Sequence, residues 1–179
     1  MRGTKIVWVV MKTIVVLVMH GAPPTDFPER DMAELFGLQT RLKGVQGVER
    51  TALERRRLEL DAKIHAWPRT AQNDPFYAGS LELAAHVSRA TGCEVIVGFN
   101  EFCAPSLEDA LDQAIARKVE KVVVITPMMT RGGEHAEVDI PAAVQAAQVQ
   151  HPETPVIYAW PFKVSEVANF LATQIANLI

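Results

Sequence analysis

The sequence predicts an α/β protein built on a four-stranded parallel sheet with helices on both faces. Four short apolar runs, rich in β-branched residues, predict buried strands at about 13–19, 94–99, 121–126 and 155–159. The runs are continuously apolar, which is typical of parallel strands covered on both faces, and amphipathic stretches alternate with them. A sheet of only four core strands favours a flavodoxin-like half-domain over a complete dinucleotide-binding domain.

Helical spacing of apolar residues predicts the connecting elements. Ser106 is expected to cap a helix that ends near Lys118, with Glu108 and Asp109 placed favourably in its first turn. The other helices are expected at about 31–43, 77–91, 137–149 and 164–178.

The segment between the first two strands is too long for one crossover helix, and residues 44–75 are interpreted as a charged insertion. Arginine and glutamate alternate between Gly44 and Asp61, which favours a solvated helix with i,i+4 ion pairs over an arginine cluster that binds phosphate. Loop signals follow at residues 67–69 and 73–75. Few apolar residues anchor the insertion, so a mobile lid and a solvated segment without a role are both open interpretations.

Composition limits the classes of function. The 179 residues suit a single domain spanning 1–179, 49% of them are hydrophobic, and the net charge of −3 argues against nucleic acid as a partner. The two cysteines, Cys93 and Cys103, are expected to be reduced thiols in a cytoplasmic protein. Residues 1–10 are expected to be an upstream extension or an added strand. Lys12 splits the first apolar stretch, and neither half is long enough to span a membrane.

Two histidines follow buried strands. His20 stands directly after the first strand, and His135 follows the third strand, a Gly132-Gly133 turn and Glu134. The carboxyl ends of parallel strands meet at one crevice, where open α/β sheets bind ligands. Two imidazoles there suit a divalent transition metal.

Carboxylates accompany this pair. Glu101 follows the second strand and is either a cleft ligand or an exposed loop residue. Glu134, Glu137 and Asp139 are candidates to orient His135 or to receive protons, although a carboxylate such as Glu137 is more often a residue favoured at a helix start. His20 could alternatively be a turn histidine bonded to the backbone.

Three motifs resemble one family. They are Val18-Met19-His20-Gly21, the helix start at Ala104–Leu111, and the segment from Pro127 to Pro141 with its glycines, histidine and Asp139-Ile140-Pro141. Together they resemble the short sirohydrochlorin cobaltochelatases among the class II tetrapyrrole chelatases, over roughly residues 11–22 and 76–179. Two departures are the longer charged segment 44–75 and residues 160–163, where the family often has another histidine.

The resemblance implies that the chain inserts cobalt, ferrous iron or nickel into a sirohydrochlorin-type tetrapyrrole, in cobalamin or siroheme biosynthesis. The metal would be a substrate, and no organic cofactor is expected. His20 and His135 would be metal-handling residues, with Glu101 as a further catalytic candidate. Because a half-chelatase supplies one cleft wall, a homodimer is expected, with the late helices or residues 31–61 at the contact.

Substrate contacts are also implied. Met128, Met129 and Gly133 would line the cleft, while the insertion would fold over its mouth, with Trp67 or Phe76 against the macrocycle and Arg69 paired with a peripheral carboxylate.

Two other classes stay open at this point. One is a carrier of metal or tetrapyrrole without turnover. The other, a nucleotide-binding domain, is disfavoured because Pro23 and Pro24 follow His20-Gly21 where a phosphate loop needs glycines and backbone donors.

Overall fold

A four-stranded parallel sheet forms the centre of the protein. The computed structural model describes residues 12–178. The strands are β1 (Thr13–Met19), β2 (Glu94–Phe99), β3 (Lys121–Ile125) and β4 (Val156–Tyr158), and their order across the sheet is β2-β1-β3-β4. All three pairings are parallel. The predicted sheet is therefore confirmed, whereas the expectation for residues 1–10 lies outside the described residues.

Helices cover both faces of the sheet, as the continuous apolar strands predicted. On one face Ile14, Val16 and Val18 pack with helices α4 (Leu107–Ala116) and α5 (Ile140–Gln150). On the other face Leu17 and Met19 pack with helix α3 (Pro75–Thr91). Since successive side chains of a strand point to opposite faces, β1 is buried on both.

The start of α4 follows the sequence prediction. The Ser106 hydroxyl accepts a hydrogen bond from the Asp109 backbone N–H, and the Asp109 carboxylate accepts one from the Ser106 N–H. This reciprocal capping box satisfies two backbone donors that the helix leaves unpaired. It fixes where the chain enters α4 directly after β2.

Residues 29–65 form a helical hairpin of α1 (Glu29–Leu42) and α2 (Gly47–His65). The hairpin has its own small core of Phe27, Leu35, Leu38, Leu60 and Ile64. The expectation that few apolar residues anchor this part of the chain was wrong, because Leu60 and Ile64 place the carboxyl-terminal half of α2 firmly on α1.

Ion pairs between α1 and α2 involve several of the alternating charged residues of the hairpin. Arg56 donates to Glu34 at 2.8 Å, and the Lys63 ammonium lies 2.5 Å from Asp31. Within α2 the i,i+4 pair Arg50–Glu54 forms as expected.

The segment before α5 differs from the predicted helix at 137–149. Residues His135–Asp139 form a π-helical turn, in which the Ile140 N–H donates to the His135 carbonyl, and α5 begins only at Ile140. Pro141 has no N–H and its ring crowds the carbonyl four residues earlier, so a regular α-helical turn is disfavoured here.

The last helix, α6 (Val164–Ala176), contains no buried residue. Phe170, Leu171 and Ile175 are each half exposed or more. Helix α6 therefore presents an apolar surface that the described residues 12–178 leave uncovered.

No helix within residues 12–178 combines the length and the apolar character needed to cross a bilayer.

Candidate metal centre

The first histidine is positioned by the ends of β1 and β2. The Asn100 N–H donates to the Met19 carbonyl at 3.0 Å and the Glu101 N–H to the His20 carbonyl at 2.9 Å, so the parallel ladder continues beyond the strands. Gly21 follows with φ of +94°, and a Cβ atom built there would lie 1.8 Å from the Glu101 carbonyl oxygen. Only glycine permits this approach, which sets His20 and Glu101 side by side.

The second histidine is positioned by the loop between β3 and the π-helical turn. The Met128 N–H donates to the Thr126 hydroxyl at 3.3 Å, and the Met128 carbonyl accepts from the Trp160 indole N–H at 2.9 Å. The Tyr158 hydroxyl donates to the Ala136 carbonyl at 3.1 Å, and burial raises the pKa of Tyr158 to about 12. Residues at the end of β4 thus support the loop that carries His135.

His20, Glu101 and His135 converge at the carboxyl end of the sheet. The two imidazole rings meet edge to face with centroids 4.7 Å apart, at an interplanar angle of 82°. One potential ligand atom from each of the three residues lies within 4.8 Å of the other two. Three ligand atoms spread around one metal ion at about 2.0–2.2 Å lie about 3.3–3.8 Å from one another. Side-chain movements of up to about 1 Å would therefore close the group on an ion.

Hydrogen bonds leave the same nitrogen available on both rings. The Nδ1 atom of His20 lies 2.9 Å from the Gly21 carbonyl oxygen, and that of His135 lies 2.6 Å from the Asp139 carboxylate. In each case Nδ1–H is the donor, so the Nε2 lone pair faces away from these partners. The Asp139–His135 pair has the arrangement in which a carboxylate orients a metal-binding imidazole.

The other predicted site residues near His135 differ in exposure and in their contacts. Glu134 and Glu137 are exposed and are not part of the ligand group. Glu137 donates its backbone N–H to the Gly133 carbonyl at 3.0 Å, while Met128 packs against the core and Met129 is 37% exposed. The exposed Gly133 and Met129 stay candidates for substrate contact.

Arg69 is not at the cleft surface, and the expectation that it pairs with a substrate carboxylate is corrected. Its side chain is 6% exposed and forms an ion pair with Asp74, which is itself 1% exposed. Its guanidinium also donates to the backbone carbonyls of Ala22, Ile64 and Phe102. These carbonyls belong to three separate segments, so Arg69 joins the loops after β1 and β2 to the end of α2.

The environment of Arg69 is closed to an external anion. Asp74 also caps α3 by accepting from the Tyr77 N–H at 2.8 Å. The buried Cys103 thiol lies 3.7 Å from the Asp74 carboxylate, and burial raises the pKa of Cys103. Breaking such a buried pair costs about 3–5 kcal/mol, which makes Arg69 a structural residue.

Trp67 is partly buried and packs against the hairpin core, and its contact with the macrocycle stays a prediction. Its indole N–H donates to Asp26 at 2.9 Å, and its ring packs edge to face on Phe27 with centroids 5.1 Å apart. Phe76, by contrast, is 39% exposed at the start of α3.

Several residues around the site were not singled out from the sequence. Tyr158 and Trp160 stack with ring centroids 6.0 Å apart under the His135 loop, and the buried amide nitrogen of Asn100 has no hydrogen-bond partner among residues 12–178. The only sequence signal for them was their position at or just after the carboxyl ends of strands, which is where parallel sheets place functional side chains.

The fold and this site define an α/β protein with an open group of two histidines and one glutamate at the switch point of a parallel sheet. The model of the CbiX family matches residues 72–177, which is more than half of the chain. This chain therefore belongs to the CbiX family.

Individual relatives resemble the chain less completely. A sirohydrochlorin cobaltochelatase of Priestia megaterium is 34% identical over 70 residues, which is 39% of this chain and 22% of that protein. The match thus spans about a fifth of that relative's length.

Two solved structures are similar at low identity. The first, described as a CbiX protein of cobalamin (vitamin B12) biosynthesis from Marinobacter aquaeolei VT8, is 14% identical with a TM-score of 0.48, covering 92% of this chain and 94% of that one. The second is the sirohydrochlorin chelatase SirB of Bacillus subtilis subspecies spizizenii in complex with cobalt. It is 16% identical with a TM-score of 0.41, covering 84% of this chain and 44% of that one.

Proposed function

We propose that this protein is a class II chelatase that inserts a divalent metal ion into a sirohydrochlorin-type tetrapyrrole. The observation that carries the proposal is the group of His20, Glu101 and His135, with ligand atoms within 4.8 Å of one another, in a chain of the CbiX family. The metal is a substrate in this reaction, and two imidazoles with one carboxylate suit cobalt, ferrous iron or nickel.

The geometry suits a metal that must be released. Three protein ligands on one side leave the other coordination positions to water and then to the macrocycle, whereas four strong ligands would retain the ion. His20 is exposed and its two partners are half-buried, so a flat molecule can approach from the solvent side.

Proton transfer completes the reaction. Two of the four pyrrole nitrogens lose their protons as the metal exchanges its protein ligands for the four ring nitrogens. The Glu101 carboxylate and the two Nε2 atoms, once they have released the metal, are bases within reach of the same point. Asp139 holds the ring of His135 in place and stabilises any positive charge on it.

We also propose that two copies of this domain form the complete cleft. In support, α6 has no buried residue, and residues 12–178 cover the sheet face of β3 and β4 away from α4 only incompletely. On that face Ile157 lies beside Val123 in the strand register and is 50% exposed.

The function is tested by metal insertion followed through the absorbance of the macrocycle. His20→Ala and His135→Ala are expected to lower the rate of cobalt insertion at least about 100-fold, and Asp139→Asn about 10–100-fold, because the first two remove ligands and the third an orienting bond. His86→Ala is the matched control, since His86 is an exposed histidine of α3.

Normal insertion by either folded ligand variant would contradict the site. Stoichiometric binding of cobalt or macrocycle by the wild type, without turnover above the protein-free rate, would instead identify a carrier. Parallel assays with ferrous iron and nickel identify the metal.

A further inference from the structure

A small polar cavity adjoins the metal centre on the side of the α1–α2 hairpin. Its volume is about 170 Å³, and its walls are Gln39, Arg57, Asp61 and His65 from the hairpin together with residues 100–102. Glu101 belongs both to this wall and to the group of metal-ligating residues. A ligand group held in the cavity is therefore next to the point where the metal would be delivered.

We propose that this cavity, with Arg57 as its cation, binds a peripheral carboxylate of the tetrapyrrole. The inference rests on the proposed function and adds a subsite that the hairpin of this chain supplies.

Arg57 is the only arginine among the residues that line the cavity. Arg50 and Arg56 are engaged with glutamates, and Arg69 is enclosed by Asp74 and three carbonyls. Within residues 12–178 the half-buried Arg57 has neither an ion pair nor a hydrogen bond, although it lines a cavity. A guanidinium presents donors in a planar fork that matches a carboxylate.

A second unpaired donor lies in the same wall. The Nδ2 atom of Asn100 is buried and has no hydrogen-bond acceptor among the described residues. Buried amide donors are almost always paired, so this atom indicates an acceptor that arrives with a ligand. Asn100 also lines the larger cavity of about 450 Å³ that includes Asp139. It is therefore a wall residue of both cavities.

The acidic groups of the cavity have other partners. The Asp61 carboxylate lies 3.8 Å from the His65 imidazole, whose Nδ1–H donates to the Asp61 carbonyl at 2.8 Å. Glu101 faces the two site histidines, where a metal ion would neutralise it. Among the residues that line the cavity, Arg57 alone carries a permanent positive charge, and neither carboxylate forms an ion pair with it.

The size of the cavity decides which part of the substrate enters it. A volume of about 170 Å³ is too small for a macrocycle and large enough for a short carboxylated side chain. Beside it, Phe36 is 46% exposed and meets Phe102 edge to face with centroids 6.3 Å apart. This aromatic pair offers an apolar support for the rim of the ring that bears the side chain.

The test measures binding without metal. Protein is added to a fluorescent porphyrin and the quenching of its emission is measured. The two porphyrins compared are uroporphyrin, which carries eight carboxylates, and one that carries two. Arg57→Ala is expected to weaken binding of the eight-carboxylate macrocycle about tenfold and that of the two-carboxylate macrocycle less, because only the former always offers a carboxylate at the rim. Arg57→Lys should recover part of the affinity. Arg55→Ala is the matched control, because Arg55 is exposed two residues away and lies outside the cavity wall.

The thermal midpoint and cobalt affinity of Arg57→Ala should equal those of the wild type. In the insertion assay the variant should raise KM and leave kcat nearly unchanged. Equal uroporphyrin affinities for Arg57→Ala, Arg55→Ala and wild type would overturn the subsite, even if insertion proceeds normally. Arginine-dependent binding by a wild type that never inserts metal would overturn the chelatase function and leave the subsite standing.

Discussion

At the scale of single residues, the centre depends on a residue that has no side chain. Gly21 lets the chain after β1 pass against the carbonyl of Glu101, and its φ of +94° lies in the region that other residues avoid. His20 and Glu101 stay adjacent only while this contact persists.

Gly21→Ala is therefore expected to destroy cobalt binding while leaving every ligand in place. Its Cβ atom would lie 1.8 Å from a backbone oxygen, which cannot move without separating the ends of β1 and β2. We expect a loss of stability of about 2 kcal/mol or more, as for strained backbone positions. Calorimetric titration with cobalt and thermal unfolding measure the two effects.

Gly79→Ala provides the control, since Gly79 lies within α3 and an added Cβ atom there meets nothing within 4 Å. That change should leave cobalt binding intact and stabilise α3 by up to about 1 kcal/mol. A Gly21→Ala variant that binds cobalt like the wild type would disprove the role given to this turn.

At the scale of secondary structure elements, the hairpin is held by charge as well as by its apolar core. Hydrogen bonding to Lys63 lowers the pKa of Asp31, and hydrogen bonding to Arg56 lowers that of Glu34, from ordinary values of 3.8 and 4.5. A carboxylate with a depressed pKa binds its proton more weakly in the folded state than in the unfolded state. Its contribution to stability is therefore present above pH 4.5 and is lost as the pH falls through the folded-state pKa.

The hairpin should consequently loosen as the pH is lowered through these depressed pKa values, while the sheet remains folded. Amide exchange, corrected for the intrinsic rate at each pH, should show lower protection in α1 and α2 at pH 3 than at pH 6. The double variant Asp31→Asn, Glu34→Gln should be less protected at pH 6 and change less between the two pH values. An equal pH response in variant and wild type would show that these pairs do not hold the hairpin.

The elements themselves were predictable because their signals are local. Strands β1 and β2 have the bounds that the apolar runs predicted, and Ser106 caps α4 as its spacing indicated. His20 and His135 were predictable as neighbours, since parallel strands bring their carboxyl ends together. The π-helical turn was not, because a proline is also common in the first turn of an ordinary helix.

The errors concern tertiary contacts. The sequence near Arg69 reads as an exposed polar loop, and its burial depends on Phe102, which lies 33 residues further along the chain. The same limit applies to Arg57, because nothing in an alternating charged helix indicates which arginine lacks a partner. Local patterns report amphipathicity, whereas pairing depends on where distant segments fold.

At the scale of the whole molecule, helix α6 and the face of β3 and β4 that carries Ile157 are two exposed apolar surfaces among the described residues. A second copy that places α6 there would bury both, and closed two-fold symmetry is the commonest arrangement. Val164, Leu171 and Ile175 follow helical spacing along one side of α6, so they are the expected contacts.

The double variant Leu171→Glu, Ile175→Glu is expected to be monomeric, and the wild type dimeric, in light scattering coupled to size-exclusion chromatography. Charged residues at the centre of an apolar contact lose their hydration without gaining partners. Thr173→Glu is the control, because Thr173 lies on the other side of α6 and is already exposed. A wild type that is monomeric and fully active at assay concentration would exclude the dimer.

Trp160 gives the molecule a built-in optical reporter. Its indole is bonded to the Met128 carbonyl, stacks on Tyr158 and has the Arg131 guanidinium 5.9 Å from its ring. The wavelength of indole emission depends on the local electric field, so a movement of the His135 loop should shift the emission maximum. Tetrapyrroles absorb strongly where indole emits, so binding of the proposed substrate should also dim this emission. For the proposed insertion reaction, a variant in which Trp8 and Trp67 are phenylalanine would let stopped-flow fluorescence resolve loop movement, macrocycle binding and product release as separate events.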